Sequence, residues 1–343
     1  MKKTILTILI LIFAIVLLAC NKTQQTEYIE KVSKINAMNT DFTISIYYQK
    51  EEEAKAVEDL MEELEVMIVN INKLTDNFLK YENINNISYI NENPNIKIEI
   101  DETLYDIILL AEQYRVEFNG YFDISVGLII DEWKKLINLD DEIFKKDENN
   151  NVIPLTEEEF NDFVNNVNKI PIIENGITLA IENNKHYITI KEGVKLDLGA
   201  IAKGYVVEKI NNTIKEANIK FYKIKGSESS LEFGENPNRD GNIFRVGIRN
   251  ATGIGYEEIV EVKNKGITTS GDTVQYYLHN GVKYHHIISP ITKKPENNRS
   301  LVTIIGDGAT KLDAMTTALM SMPEEVFNQF IEKYPQYKIY NIK

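Results

Sequence analysis

Within ten residues, Lys195-Leu196-Asp197-Leu198-Gly199-Ala200-Ile201-Ala202-Lys203-Gly204 gathers a carboxylate, lysine ammonium groups and two glycines. The segment lies where a strand pattern gives way to a helix pattern. His186-Tyr187-Ile188-Thr189-Ile190 alternates upstream, while Ile201, Tyr205, Val206, Ile210 and Ile214 recur at helical spacing downstream. Free amides at a helix N-terminus attract an anion, and Lys203 adds a full positive charge. Gly199 and Gly204 permit a turn or a close backbone approach. A phosphate-bearing ligand with a polar base or sugar would use all of these groups. The string is neither G-x-G-x-x-G nor a P-loop, so neither standard nucleotide fingerprint applies. Packing at a strand–helix junction accounts for the glycines equally well.

Four further segments carry usable chemistry. In Gly120-Tyr121-Phe122-Asp123-Ile124-Ser125-Val126-Gly127, an acid flanked by aromatics and glycines could floor a planar-ring site, or could be a loop with a capping Asp. Thr268-Thr269-Ser270-Gly271-Asp272 offers hydroxyl donors to a phosphate, as an ordinary turn also would. His285-His286-Ile287-Ile288-Ser289-Pro290 holds two of the four histidines. On a strand their side chains diverge, so they would not share one metal, but one could accept a proton. Asp313 and Thr317, four apart at the start of a predicted helix, share a face and form a hard-oxygen pair suited to Mg²⁺, although an Asp there is commonly a cap.

The elements that must position these groups are of both kinds. The spacing predicts helices over Glu51–Leu74, Asp101–Phe118, part of Ile129–Phe144, Thr156–Val167 (opened by a Thr-x-x-Glu capping box), Lys311–Ser321 and Glu324–Tyr334. Alternation predicts strands over Phe42–Tyr48, Ile177–Ile181, His186–Lys191, Phe221–Lys225, Phe244–Arg249, Glu258–Val262, Tyr284–Ser289, Leu301–Ile305 and Tyr337–Tyr340. Asp76–Pro94 reads as loop. Partial segregation of helices and strands, with strands dominating from Ile177, implies a mixed α+β fold.

Lys2 and Lys3 precede an apolar run from Ile5 to Ala19, which is shorter than a membrane-spanning helix requires. It ends at Cys20, the only cysteine, and resembles a bacterial lipobox. Residues 1–19 are therefore expected to be a lipoprotein signal peptide, 20–33 a polar tether and 34–343 one catalytic or binding domain. Cys20 would carry the lipid and hold the chain on the extracytoplasmic face of the cell membrane. A single cysteine excludes a disulfide framework and a cysteine-based metal cluster. The formal net charge of −14 argues against a nucleic-acid partner, the more so once Lys2 and Lys3 leave with the signal.

Taken in order, these segments resemble the ApbE family of FAD:protein FMN transferases (flavin transferases), many of which are membrane-tethered. The resemblance runs from about Met38 to the helix bearing Asp313 and Thr317, and it implies an ApbE-like α+β fold with a β-rich C-terminal half and flanking helices. It further implies that Met38, Tyr81, Tyr121, Phe122, Asp123, Asp197, Lys203 and Ile287 contact FAD. Mg²⁺ would lie among the Ala200 carbonyl, Asp313, Thr317 and Thr316. His286, then Asp272, would be tested as the base. The implied reaction moves FMN from FAD to a Ser or Thr hydroxyl of an extracytoplasmic redox protein and releases AMP. FAD hydrolysis and non-catalytic flavin binding are the alternatives. Departures from the family pattern are Asn39 for Gly, Leu79 for Ser, Asn85-Asn86 for Ser-Glu, and Gly226-Ser227 for Gly-Gly.

Overall fold

The computed structural model describes residues 27–252 and 254–343, so the predicted signal peptide and Cys20 lie outside the described residues. The chain opens with a hairpin of β1 (Ile29–Ala37) and β2 (Thr40–Tyr48), followed by α1 (Ala54–Thr75), α2 (Ile87–Asn91), β3 (Ile98–Ile100) and α3 (Glu102–Glu117). Next come α4 (Gly127–Ile137), α5 (Glu157–Lys169), β4 (Ile177–Glu182), β5 (Lys185–Ile190) and α6 (Ala202–Glu216). Five strands follow as β6 (Tyr222–Gly226), β7 (Ser230–Phe233), β8 (Phe244–Arg249), β9 (Tyr256–Val262) and β10 (Lys265–Gly271). The chain closes with β11 (Tyr276–His279), β12 (Val282–His285), β13 (Leu301–Gly306), α7 (Ala309–Ser321), α8 (Glu324–Ile331) and β14 (Lys338–Ile342). The mixed α+β class is as expected.

The frame is a seven-stranded sheet in the order β1-β2-β6-β7-β10-β13-β14, antiparallel at every pairing. Helices α6 and α7 pack on one face of this sheet and on each other. Helix α1 joins them because Val57, Leu60, Leu64, Ile68 and Ile71 recur every three or four residues and are all buried. The β8–β9 hairpin covers part of the opposite face through Phe244, Ile248, Val260 and Val262. A third cluster gathers α4, α5 and the β11–β12 hairpin around Trp133, whose indole stacks on Tyr284 and donates to the Lys293 carbonyl at 2.8 Å. This cluster carries one wall of the site described below.

Helix caps follow the sequence. Thr156 and Glu159 form both bonds of the capping box on α5, and Asp101 caps α3. Elsewhere the structure departs from expectation. Strand β1 begins at Ile29, so the end of the presumed tether is part of the sheet. The predicted loop 76–94 contains α2, because buried Asn86 caps that helix and donates to the carbonyls of Lys73 and Leu79. Thr268–Gly271 lie on a strand paired with β13, with Thr268 also paired to β7, and not in a turn. Their polarity disguised a central strand, which is polar because its neighbours on α7 are polar.

Glu232 is buried on β7, opposite Gly266, where an added Cβ would meet its Oε2 at 2.5 Å. Burial pushes its pKa up to about 8, with Lys215 opposing and Asp307 and Glu208 adding to the rise. The folded chain therefore holds a proton that the unfolded chain, with a carboxyl near 4.5, has released. Stability falls as pH rises through that interval. Glu232→Gln should match wild type in thermal unfolding at pH 5 and melt roughly 5 °C higher at pH 8. Parallel pH profiles of the two proteins would refute this.

Candidate functional site

A cavity of about 480 Å³ opens where the turn before α6, the β6–β7 turn, the end of β10, the segment after β12 and helices α4 and α7 converge. The segment singled out first in the sequence forms one side. Asn91 brackets Leu196, accepting from its N–H at 2.7 Å and donating to its carbonyl at 3.0 Å. The next residue is held from behind: Asp197 N–H donates to Ile124 O at 2.8 Å, and Gly127 N–H to Lys195 O at 2.8 Å. An added Cβ on Gly127 would meet that carbonyl at 2.6 Å, which explains a glycine there. Asp197 is thereby presented at the cavity. Its Oδ1 accepts from Gly199 N–H at 2.8 Å, and its Oδ2 accepts from Lys134 at 2.7 Å and Asn77 at 3.3 Å.

Helix α6 starts at Ala202 with no side chain of its own segment capping it. Lys203 lines the cavity beside this start, its ammonium on the Gly199 carbonyl at 3.0 Å. One free amide is claimed from another helix: Gly204 N–H donates to Asp313 Oδ2 at 2.9 Å. Gly204 is the close approach that its residue type implied, since a Cβ there would lie 2.4 Å from Ala309 O and 2.6 Å from Asp313 Cβ.

Asp313 is only 4% exposed and lines the cavity with Thr317 and Ala200. Burial raises its pKa, while Lys203 and the Gly204 amide act in the opposite direction. Among the described residues no three His, Cys, Asp or Glu side chains gather as a metal cage. One carboxylate, one hydroxyl and one carbonyl nevertheless make a hard-oxygen set of the kind that holds Mg²⁺ together with water and substrate phosphates. These residues fit such an ion. Thr316 does not join them, since it is fully buried beneath the helix, donates to Asp313 O at 3.0 Å and accepts from Ser270 at 2.8 Å.

The adjacent histidines go opposite ways. His285 is fully buried and spent on structure. Its Nε2–H faces the Glu296 carbonyl at 3.0 Å, and its Nδ1 accepts from Ile287 N–H at 3.2 Å. His286 lines the cavity with Ile287, and its buried Nδ1 has no partner. Burial pushes its pKa down to about 4, with His285, Lys203 and Lys134 adding to the fall, so the ring is neutral at pH 7. Asp272 sits one residue beyond the cavity wall. Its Oδ2 pairs with Lys283 at 3.0 Å and its Oδ1 is buried without a partner. This arrangement favours His286 as the proton acceptor.

Several residues expected at the flavin do not line this cavity. Met38 and Asn39 are the two-residue turn of the first hairpin, at φ 52 and 55. This is the left-handed pair that such a turn needs, and Asn tolerates it nearly as Gly does. Tyr81 donates to Asp76 at 2.8 Å within its own loop. Phe122 is core, Tyr121 packs against the core, and Asp123 caps Ser125 N–H at 2.7 Å, the plainer of the two readings of that string. The strip around residue 123 shapes the site through its backbone. Two cations in the cavity wall were missed, Lys134 on α4 and Arg249 at the end of β8. Lys134 also stands 5.9 Å from the ring of Phe78, which is 70% exposed. No local motif marks either cation, because each reaches the cavity only through the packing of a separate lobe or hairpin.

Comparison with known proteins follows the same outline. The profile of the ApbE family matches residues 38–340. An FAD:protein FMN transferase of Vibrio cholerae serotype O1 is 32% identical over 210 residues, covering 60% of this chain and 57% of that protein. Another, from Haemophilus influenzae, is 24% identical over an alignment of 344 positions, covering 97% of this chain and 91% of its own length. Among solved structures, the ApbE protein of Thermotoga maritima superposes with a TM-score of 0.69 at 23% identity, covering 92% of this chain and 94% of its own. The flavin transferase ApbE from Vibrio cholerae superposes at 0.67 and 22%, covering 92% and 98%. At these identities the structures establish the shared fold.

Proposed function

The chain belongs to the ApbE family, and we propose that it transfers FMN from FAD to a Ser or Thr hydroxyl of a partner protein, with AMP as the leaving group. The observation that carries this reading is the convergence, in one cavity, of Asp313, Thr317 and Ala200 with Lys203 and a neutral His286. That is the equipment phosphoryl transfer needs: charge neutralisation, in-line positioning and modest help with one proton.

In the proposed step the acceptor oxygen bonds to the FMN-side phosphorus and the bond from that phosphorus to the bridging oxygen of AMP breaks. The acceptor proton passes to a ring nitrogen of His286. Lys203 binds a pyrophosphate oxygen, and Lys134 and Arg249, paired in the protein with Asp197 and Glu228, stand at the rim where a phosphate can compete for them. Asp313, Thr317 and the Ala200 carbonyl hold Mg²⁺, which when bound supplies Lewis-acid stabilisation of the phosphoryl oxygens. Asp197 is fixed by Gly199 and Lys134 to meet the remainder of FAD.

We place the enzyme on the extracytoplasmic face of the membrane, anchored through Cys20. None of the helices in the described residues is long and apolar enough to cross a bilayer. The acceptor would be a redox protein at the same surface.

Incubation with FAD, Mg²⁺ and a candidate acceptor should give a covalently fluorescent acceptor and one AMP for each flavin transferred. AMP release at the same rate with and without acceptor would assign the chain to FAD hydrolysis instead. Flavin binding with no AMP at all would reduce it to a carrier.

A further inference from the structure

Two hydroxyls behind Asp313 are fully buried, those of Ser230 on β7 and Thr268 on β10, and the Thr268 hydroxyl has no hydrogen-bond partner. They are direct cross-strand partners, so they project from the same face of the sheet. That face is the one beneath α7. Ser270 lies two residues along β10 from Thr268, hence on the same side, and donates to Thr316 of α7 at 2.8 Å. Thr316 and Asp313 are neighbours on that helix. The Ser230 hydroxyl is turned towards the Asp313 carboxyl itself.

A buried hydroxyl without a partner is costly, and one placed opposite a second buried hydroxyl that faces a buried carboxylate calls for an explanation. Ordinary packing does not supply one, because Ala and Val would fill the same space without a polar atom. The other carboxylate contact is already fixed: Asp313 Oδ2 accepts from Gly204 N–H. What the hydroxyls can govern is the rotation of the carboxyl group about that bond.

We propose that Ser230 and Thr268 are positioning residues for the metal site, a hydroxyl pair that donates to Asp313 from below and turns its free oxygen towards the cation. Ser230 donates to the carboxylate, and Thr268 donates to Ser230 or to a water between them. This inference rests on the metal role given above to Asp313.

Calorimetric titration of the full chain with Mn²⁺ tests it, with no FAD present and with metal-free thermal unfolding measured beside it. Ser230→Ala and Thr268→Val should each weaken Mn²⁺ binding by about 10-fold or more, as loss of an outer partner of a ligating carboxylate does. Thr268→Val should melt at or above the wild-type temperature without metal, since it removes an unpaired hydroxyl. Thr268→Ser, which retains the donor, should bind Mn²⁺ like wild type. If Ser230→Ala does not fold, the two Thr268 variants carry the same comparison.

Mn²⁺ affinities within twofold of wild type for Ser230→Ala and Thr268→Val would overturn the inference. A fall in melting temperature with unchanged affinity would do the same and leave a purely structural role. Asp313→Asn separates this failure from that of the larger reading. If Asp313→Asn loses Mn²⁺ while the hydroxyl variants keep it, only the positioning role is wrong. If wild type and Asp313→Asn take up Mn²⁺ equally poorly, the metal reading and this inference fall together.

Discussion

Asp313→Asn is expected to cut flavin transfer by about 10³-fold or more while leaving the fold and FAD binding in place. The size follows from what a divalent ion contributes to a phosphoryl transition state, several kcal/mol, with each 1.36 kcal/mol worth a factor of ten. The choice of Asn over Ala matters. The amide oxygen can still accept from Gly204 N–H, which Asp313 Oδ2 does now at 2.9 Å. The start of α6 therefore keeps its tertiary cap. Stability should not suffer, because the native carboxyl is buried and burial raises its pKa. Replacing it with a neutral amide removes the cost of burying a charge. The measurements are covalent acceptor fluorescence, AMP release, FAD affinity by calorimetry and thermal unfolding. A variant retaining more than a tenth of the wild-type rate would show that the carboxylate is not a ligand the reaction needs.

His286→Gln should lower kcat/KM by about 10²- to 10⁴-fold, the usual span for a positioned acid or base. Its pH profile gives the sharper test. Burial and the nearby charges of Lys203 and Lys134 hold the imidazole pKa down at about 4. The neutral, proton-accepting form therefore persists down to about pH 5. Wild-type kcat/KM should be flat between pH 6 and 8 as far as this group is concerned, and should decline only as pH approaches 4. The linkage to stability has a definite sign. The unfolded chain protonates this histidine near 6.5 and the folded chain near 4, so protons favour the unfolded state between those values. The native state should lose stability as pH falls from about 6.5 towards 4, and His286→Gln should lose less. An activity profile that titrates near pH 6.5 would mean that the ring is more solvated, or closer to an acid, than its setting shows.

The sequence was most informative where one residue type has few physical explanations. Gly204 permitted a turn or a close contact, and it marks a close contact between two helices. The capping box of α5 and the long stripe of α1 are local patterns that no tertiary contact had to complete. Asp197, Lys203, His286, Asp313 and Thr317 were picked out by type and order, and all five line the same cavity.

What was illegible has a common cause. Lys134 and Arg249 reach the cavity from elements that a sequence pattern cannot place. Thr268 and Ser270 were read as turn chemistry because hydroxyls in a row are polar. They are in fact the inner face of a central strand, where polarity is matched from above by α7. Phe122 and Tyr121 looked like ring-binding aromatics and are packing groups. An aromatic next to glycines fits either role until burial decides. Met38 and Asn39 show a departure from a family pattern absorbed by turn geometry, since Asn occupies the left-handed region at modest cost.

The bond between Gly204 and Asp313 spans 109 residues of chain. The active arrangement is consequently a property of topology, not of any segment. A growing polypeptide that has emerged as far as α6 possesses the lysine and the acid that would greet a dinucleotide, but not the carboxylate that heads the same helix. Strand β10, which supports that carboxylate, and helix α7, which bears it, are both still to come. Closing a loop of that length is entropically slow to reward. The cavity is therefore complete only once β10 and α7 are in place.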